Sequence, residues 1–439
     1  MLCDDSTTVR SAYARLLEAD PDLQLVGSVG NGQQAIDALM GLPREARPHV
    51  MLLDLEMPVM DGMTALPLLL KTHPNLAVIV SSAQNESGAA AAMAAMRAGA
   101  ADYVPKPSAA NGGMNDANFR ADLVAKVKGW ARMRGFVPGP AQPAPGAAAA
   151  PPLVAPPPAA PSAAQPTVPL PAPSVSAPFV SAPSMSAPSM PAASAPLPVP
   201  PARAAAPQPS QPLPAAPAPP GASLLSGPVV LRPMPAVVPK PRLLAIGSST
   251  GGPQALAAFV RRLSTPLPVP VVVVQHMPAG FTAMLADHLG RLGGPPAAEA
   301  KDGEALRPGR LYVAPGDRHL VLEGGGGGLV ARLNTDPPEN FCRPAVDPML
   351  RSAVAACEGR VLAVILTGMG QDGMLGCKAV AAAGGLVLAQ DEASSVVWGM
   401  PGAVAKAGLA QFLAPPEQLA DKALAHIGKA GHGPAGGMA

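Results

Sequence analysis

Proline is the residue that most limits what this chain can fold into, because of where it stands. The 439 residues include 59 prolines, and these pile up with alanine and serine between about Pro138 and Pro239. Each proline removes a backbone donor, and alanine and serine bury too little surface to offset chain entropy. The Ser-Ala-Pro, Pro-Ala-Pro and Val-Pro repeats there predict a disordered, partly polyproline-II spacer over residues 136–239. That leaves one foldable segment on each side, residues 1–135 and 240–430, with a flexible glycine-rich tail over 431–439. Two apolar islands, Leu224-Leu225 and Val229-Val230-Leu231, are the places where the spacer could dock on a domain.

A formal net charge of +2, with no long Lys/Arg stripe, argues against nucleic acid as a partner. No apolar stretch of about 18 residues is free of proline, and no secretory signal opens the chain. The expectation is a cytoplasmic, monomeric protein without membrane insertion. Cys3, Cys342, Cys357 and Cys377 lack C-x-x-C spacing, which predicts neither zinc nor a disulfide framework.

In the first segment, strands are expected at Met1–Cys3, Leu23–Val26, Val50–Leu53, Leu76–Val80 and Tyr103–Val104. Helix-like stretches alternate with them at Thr7–Leu17, Gly32–Leu42, Thr64–Leu70, Gly88–Ala98 and Phe119–Trp130. That alternation predicts a doubly wound α/β parallel sheet with its functional groups at the carboxyl ends of the strands. Polar residues collect there: Asp4 and Asp5, then Asp54, Ser81 and Lys106. Three converging carboxylates repel one another unless a cation sits among them, and an all-oxygen pocket favours Mg²⁺. A lysine and a hydroxyl beside them could hold a phosphoryl group delivered to one carboxylate.

The second segment repeats the α/β pattern. Strands are expected at Leu243–Ile246, Val269–Gln275, Arg310–Val313, a Leu320–Leu322/Leu329–Leu333 hairpin, Val361–Leu366 and Leu386–Ala389. After the first comes Gly247-Ser248-Ser249-Thr250-Gly251, a G-x-S-x-G centred on Ser249, with Pro253 suited to a first helical turn. Such a turn lifts a serine oxygen clear of the sheet, and the helix start offers free N–H groups for an oxyanion. Ser248 competes, although Ile246 stands where the pattern wants glycine; a glycine-rich turn of this kind can also simply hold phosphate. His276 follows the second strand, and Asp372 lies in the loop after Leu366. Serine, histidine and aspartate at strand ends of one sheet meet the geometric need of an activated nucleophile. His319 is the rival base, and Asp347 and Asp391 are rival orienters, Asp347 being better suited to cap a helix. The turns at Thr250 and Met369 could supply oxyanion donors.

The first segment resembles the response-regulator receiver family in Asp4-Asp5-Ser6, Leu53-Asp54-Leu55-Glu56-Met57-Pro58, Met60-Asp61-Gly62, Ser81-Ser82 and Tyr103-Val104-Pro105-Lys106-Pro107. The resemblance implies phosphorylation of Asp54, Mg²⁺ held by Asp4, Asp5 and Asp54, phosphoryl contacts from Ser81 and Lys106, and Tyr103 as the switch aromatic. One departure is that only Met1-Leu2-Cys3 precede Asp4, so the first strand is clipped. The second segment resembles the chemotaxis protein-glutamate methylesterase (CheB) family. Its matching motifs are Ile246–Pro253, Gln275-His276-Met277-Pro278, Ala314-Pro315-Gly316-Asp317, Arg343–Asp347, Leu366–Gly373 and Asp391–Pro401. That resemblance implies a Ser249, His276, Asp372 triad with Met369 and Thr250 near the oxyanion and no cofactor for the ester reaction. It also implies methyl-esterified glutamate on chemoreceptors as substrate, glutamine deamidation in some members, and a chemotaxis histidine kinase as phosphodonor. A signalling adaptor or phosphate sink, or an esterase acting on another protein, is the competing class. In this family the resting receiver is understood to cover the cleft, and a tether of about 100 residues lowers its effective concentration, which predicts a leaky resting state.

Overall fold

A computed structural model of the chain describes residues 1–106, 113–134, 229–235, 238–263, 266–325 and 328–428. Most of the predicted spacer, with Leu224-Leu225, and the predicted tail lie outside the described residues. Among the described residues no helix is long and apolar enough to cross a membrane.

The first fold unit runs β1 (Leu2–Cys3), α1 (Thr7–Glu18), β2 (Ser28–Val29), α2 (Gly32–Gly41), β3 (Val50–Asp54), α3 (Gly62–Thr72), β4 (Ala77–Ser82), α4 (Glu86–Arg97), β5 (Asp102–Pro105) and α5 (Ala117–Met133). The strands form one parallel sheet in the order β2-β1-β3-β4-β5. The expected strand Leu23–Val26 is displaced to Ser28–Val29. The short β1 can pair only through Leu2↔Ser28 and Cys3↔Val29, while Leu23 and Leu25 pack on the core from the loop before it.

The second unit runs β6 (Leu243–Ser248), α6 (Gly252–Arg262), β7 (Val271–Gln275), α7 (Phe281–Gly290), β8 (Ala297–Glu299), β9 (Ala305–Leu306), β10 (Leu311–Val313), β11 (His319–Gly325) and β12 (Gly328–Asn334). It continues through α8 (Val346–Ala356), β13 (Val361–Ile365), α9 (Met374–Ala382), β14 (Leu386–Gln390), α10 (Met400–Lys406), β15 (Phe412–Ala414) and α11 (Pro416–Ile427). Seven strands form a parallel sheet in the order β15-β14-β13-β6-β7-β10-β8, and β11-β12-β9 form an antiparallel flap. In β6, Leu244 and Ile246 face one apolar core and Leu243 and Ala245 the other, so the strand is buried on both sides. Chain progression reverses between β6 and β13, and doubly wound sheets place their ligands at such a reversal.

Arg232 anchors the chain just before the second unit. Its N–H donates to Ala410 O (2.9 Å) and its guanidinium to Ala381 O (2.7 Å). The neighbouring island Val229-Val230-Leu231 stays exposed.

Candidate active site

The acidic pocket forms at the reversal of the first sheet. Ligand oxygens of Asp4, Asp5 and Asp54 lie within 4.8 Å of one another. Lys106 Nζ donates to Asp54 Oδ2 at 2.7 Å and stands 3.7 Å from Asp4 Oδ2. Ser81 is Asp54's partner in the β3–β4 register, and its hydroxyl meets Tyr13 Oη at 3.4 Å. Burial, and then the Asp54 charge, push Asp4 above the usual carboxylate range. Burial works against the Lys106 charge, yet Asp54 holds that ammonium above its ordinary value. The buried Asp4 Oδ2 accepts no hydrogen bond among the described residues. An orphaned carboxylate oxygen in an all-oxygen donor set fits a hard divalent cation.

In the second sheet, β6 ends at Ser248 and the chain turns through Ser249, Thr250 and Gly251 into α6. Gly251 has φ 74°, a conformation glycine adopts without steric cost, and Pro253 opens the helix. Gly252 leaves room for Gln275, since a Cβ there would lie 1.9 Å from Gln275 Oε1 and displace that side chain. Ser248 is fully buried and donates to that same Oε1 at 2.7 Å, while Gln275 Nε2 donates to Ser249 O at 2.8 Å. Gln275, which the sequence marks as a strand end and as the first residue of the Gln275-His276-Met277-Pro278 motif without indicating a role, thereby braces the turn.

His276 follows β7, and its Nε2 stands 2.8 Å from Asp372 Oδ2. Nδ1 meets Cys342 Sγ at 3.4 Å. Burial disfavours the imidazolium, but Cys342 and Asp372 together push His276 up to about 10. Asp372 Oδ2 also accepts from Val346 N (2.6 Å), and Oδ1 accepts from Asp347 N (3.1 Å) and Gly373 N (2.9 Å). Burial alone would raise Asp372; the His276 contact and these amides bring it below the usual carboxylate range. Neither Asn340 nor Cys342 carries a sequence signal of a role here beyond proximity to Arg343-Pro344.

The rival residues are engaged elsewhere. His319 bonds Pro337 O and Ala345 N, and Asp391 caps its own turn at Ser394. Asp347 does not cap its own helix, α8; its Oδ1 accepts from Gly376 N in the first turn of α9 (2.6 Å). Among the described residues, no hydrogen bond engages the Met369 amide. The Thr250 hydroxyl donates to Asp122 Oδ1 at 2.7 Å.

Asp122 belongs to α5, so the serine turn is covered by the first fold unit. Asp102 Oδ2 accepts from Gly251 N (3.1 Å) and Trp130 Nε1 (3.2 Å). The buried Lys126 bridges Asp102 (3.5 Å) and Asp122 (3.6 Å). Burial opposes its charge, but the two carboxylates hold it above the ordinary lysine range. Tyr103 stacks on Phe281 with ring centroids 5.1 Å apart, and Gln254 donates to Ala100 O. Arg132 reaches Glu392 O and Val396 O.

A fold unit that carries a receiver-type acidic pocket and packs on the turn of a switch-point serine, with a histidine–aspartate pair at the same sheet edge, defines a class: carboxylic ester hydrolases controlled by a receiver domain. Residues 244–423 match the family model described as CheB methylesterase, and residues 1–116 match that of the response regulator receiver domain. The chain is 43% identical over 424 residues to protein-glutamate methylesterase/protein-glutamine glutaminase 1 of Paramagnetospirillum magneticum, covering 96% of this chain and 93% of that one. It is 43% identical to the like-named protein of Azospirillum brasilense, covering 95% of this chain and 90% of that protein. The solved CheB methylesterase catalytic domain of Thermotoga maritima is 42% identical, with 42% of this chain and 98% of that one covered at a TM-score of 0.41. The chain belongs to the CheB family of protein-glutamate methylesterases/protein-glutamine glutaminases.

Proposed function

We propose that this chain removes methyl esters from glutamate side chains of chemoreceptors, that it deamidates glutamine there, and that phosphorylation of Asp54 in the cytoplasm switches it on. The observation that carries this reading is the His276–Asp372 pair at the sheet reversal, beside the turn that presents Ser249. Nε2 stands against Asp372, so Nδ1, which faces Cys342 Sγ at 3.4 Å, is the nitrogen that would have to turn to Ser249 as base. Ser249 Oγ attacks the ester carbonyl and passes its proton to Nδ1; the Met369 and Thr250 amides are the candidate donors to the oxyanion. The tetrahedral intermediate expels methoxide, which takes that proton and leaves as methanol. Water then attacks the acyl-serine with His276 again as base, releasing glutamate and free Ser249. With glutamine the leaving group is ammonia. Methanol release from methylated receptor by the purified protein is the direct test, and its absence would remove the assignment.

In the receiver, Asp4, Asp5 and Asp54 would hold Mg²⁺, which when bound neutralises charge on the incoming phosphoryl group. Lys106 and Ser81 are placed to contact that group on Asp54, and a chemotaxis histidine kinase is the expected donor. Asp54→Asn is expected to abolish labelling by a small phosphodonor in Mg²⁺ while basal hydrolysis persists. Acid- and base-labile phosphate still appearing on the variant would refute the acceptor assignment.

Cys342 bears on pH dependence. His276 must be neutral to act as a base, so kcat/KM rises as pH climbs through the raised His276 value. Cys342→Ala removes a group that stabilises the imidazolium, and the rising limb should move toward neutral pH. Rates measured from about pH 6 to about pH 10 decide this, and a limb that stays in place would show that the thiol does not set it.

A further inference from the structure

Two buried carboxylates lie side by side behind His276. Asp347 and Asp372 are 1% and 2% exposed, and like charges held apart from water repel strongly. One amide reaches both: Asn340 Nδ2 donates to Asp372 Oδ1 at 2.9 Å and to Asp347 Oδ2 at 3.0 Å. An amide nitrogen has two hydrogens, one for each carboxylate. Burial first, and then the Asp372 charge, push Asp347 up to about 6, whereas Asp372 stays charged beside His276.

The backbone around Asn340 is built to hold it there. Glu339 and Cys342 pair as an antiparallel bridge with N···O distances of 3.1 and 2.9 Å. Between them Asn340 (φ 51°) and Phe341 (φ 63°) are both left-handed, the demand of a type I′ turn, which asparagine tolerates and phenylalanine does not favour. Arg351 of α8 grips Glu339 through two bonds of 2.7 Å. A single pinned turn therefore places Asn340 on Asp372 and Cys342 on His276 Nδ1.

We infer that Asn340 is a positioning residue for ester hydrolysis: its amide fixes the Asp372 carboxylate against His276 and screens it from Asp347. The inference rests on the triad reading above. Without the amide, Asp372 keeps its backbone donors, but an ionised Asp347 faces it unscreened and pushes it off line.

The test uses full-length protein treated with a phosphodonor and Mg²⁺, with methanol release from methylated receptor as readout. Asn340→Gly suits the left-handed backbone and removes only the side chain. It should lower kcat on the order of tenfold, inside the ~10²-fold that a misplacement of about 1 Å costs, with KM little changed. The loss should deepen as pH rises and Asp347 ionises. In an Asp347→Asn background the same change should cost less than about threefold, because the charge to be screened is gone. Asn340→Asp keeps the shape but adds a third carboxylate, and should be worse than glycine. Asp372→Asn runs in parallel. If it retains the wild-type rate, the triad reading fails and the inference with it. If Asp372→Asn is inactive while Asn340→Gly matches wild type, or loses the same factor with and without Asp347 at every pH, the triad stands and the role of Asn340 is refuted.

Discussion

Ser249→Ala is expected to cut methanol release on the order of 10⁴-fold or more, whereas Ser248→Ala should retain most of it. The two serines are adjacent, but the turn separates their environments. Ser248 is the last residue of β6, fully buried, with its hydroxyl given to Gln275. Ser249 stands on the turn itself, where Gly251 and Gly252 let the chain reverse tightly into α6. Losing the Ser248 hydroxyl strips Gln275 Oε1 of its donor, a cost of roughly 1–3 kcal/mol that should appear in thermal stability rather than in turnover. Paired rate and melting measurements on both variants separate the two effects. An inactive Ser248→Ala beside an active Ser249→Ala would overturn the registration of the turn.

Basal hydrolysis by unphosphorylated protein should rise sharply in Gly129→Val. Gly129 of α5 lies so close to the second unit that a Cβ would stand 2.3 Å from Val396 O. Backbone cannot yield there as a side-chain tip could. Overpacking of this kind costs typically 1–3 kcal/mol, which shifts the covered-to-open balance by roughly 5- to 150-fold. The added methyls should touch nothing essential in the acidic pocket, so phosphodonor labelling of Asp54 should persist. Basal activity equal to wild type, with labelling intact, would show that this contact does not hold the resting state. The same interface qualifies the leakiness expected of a long spacer. A dilute receiver can still be held by the buried Asp102–Lys126 pair and the half-buried Asp122, both carboxylates bonded to the serine turn.

Much of this protein was legible in the chain itself. Apolar runs alternating with helix-forming stretches specified two parallel α/β sheets, because a strand buried on both faces must be apolar throughout. Asp4, Asp54, Ser249, His276 and Asp372 stood out because a polar residue just past such a run has nowhere to go but the sheet's edge. The place of the second strand was not legible. It lies where β1 pairs, through Leu2↔Ser28 and Cys3↔Val29, rather than at Leu23–Val26. Nor was the surrounding shell. Asn340 is 32 residues from Asp372, Cys342 is 66 from His276, and Asp102 is 149 from Gly251. Such partners carry no local periodicity, since what joins them is how loops converge at one edge of a folded sheet. Local chemistry determined which side chains could react, and tertiary structure decided which groups hold, charge and cover them.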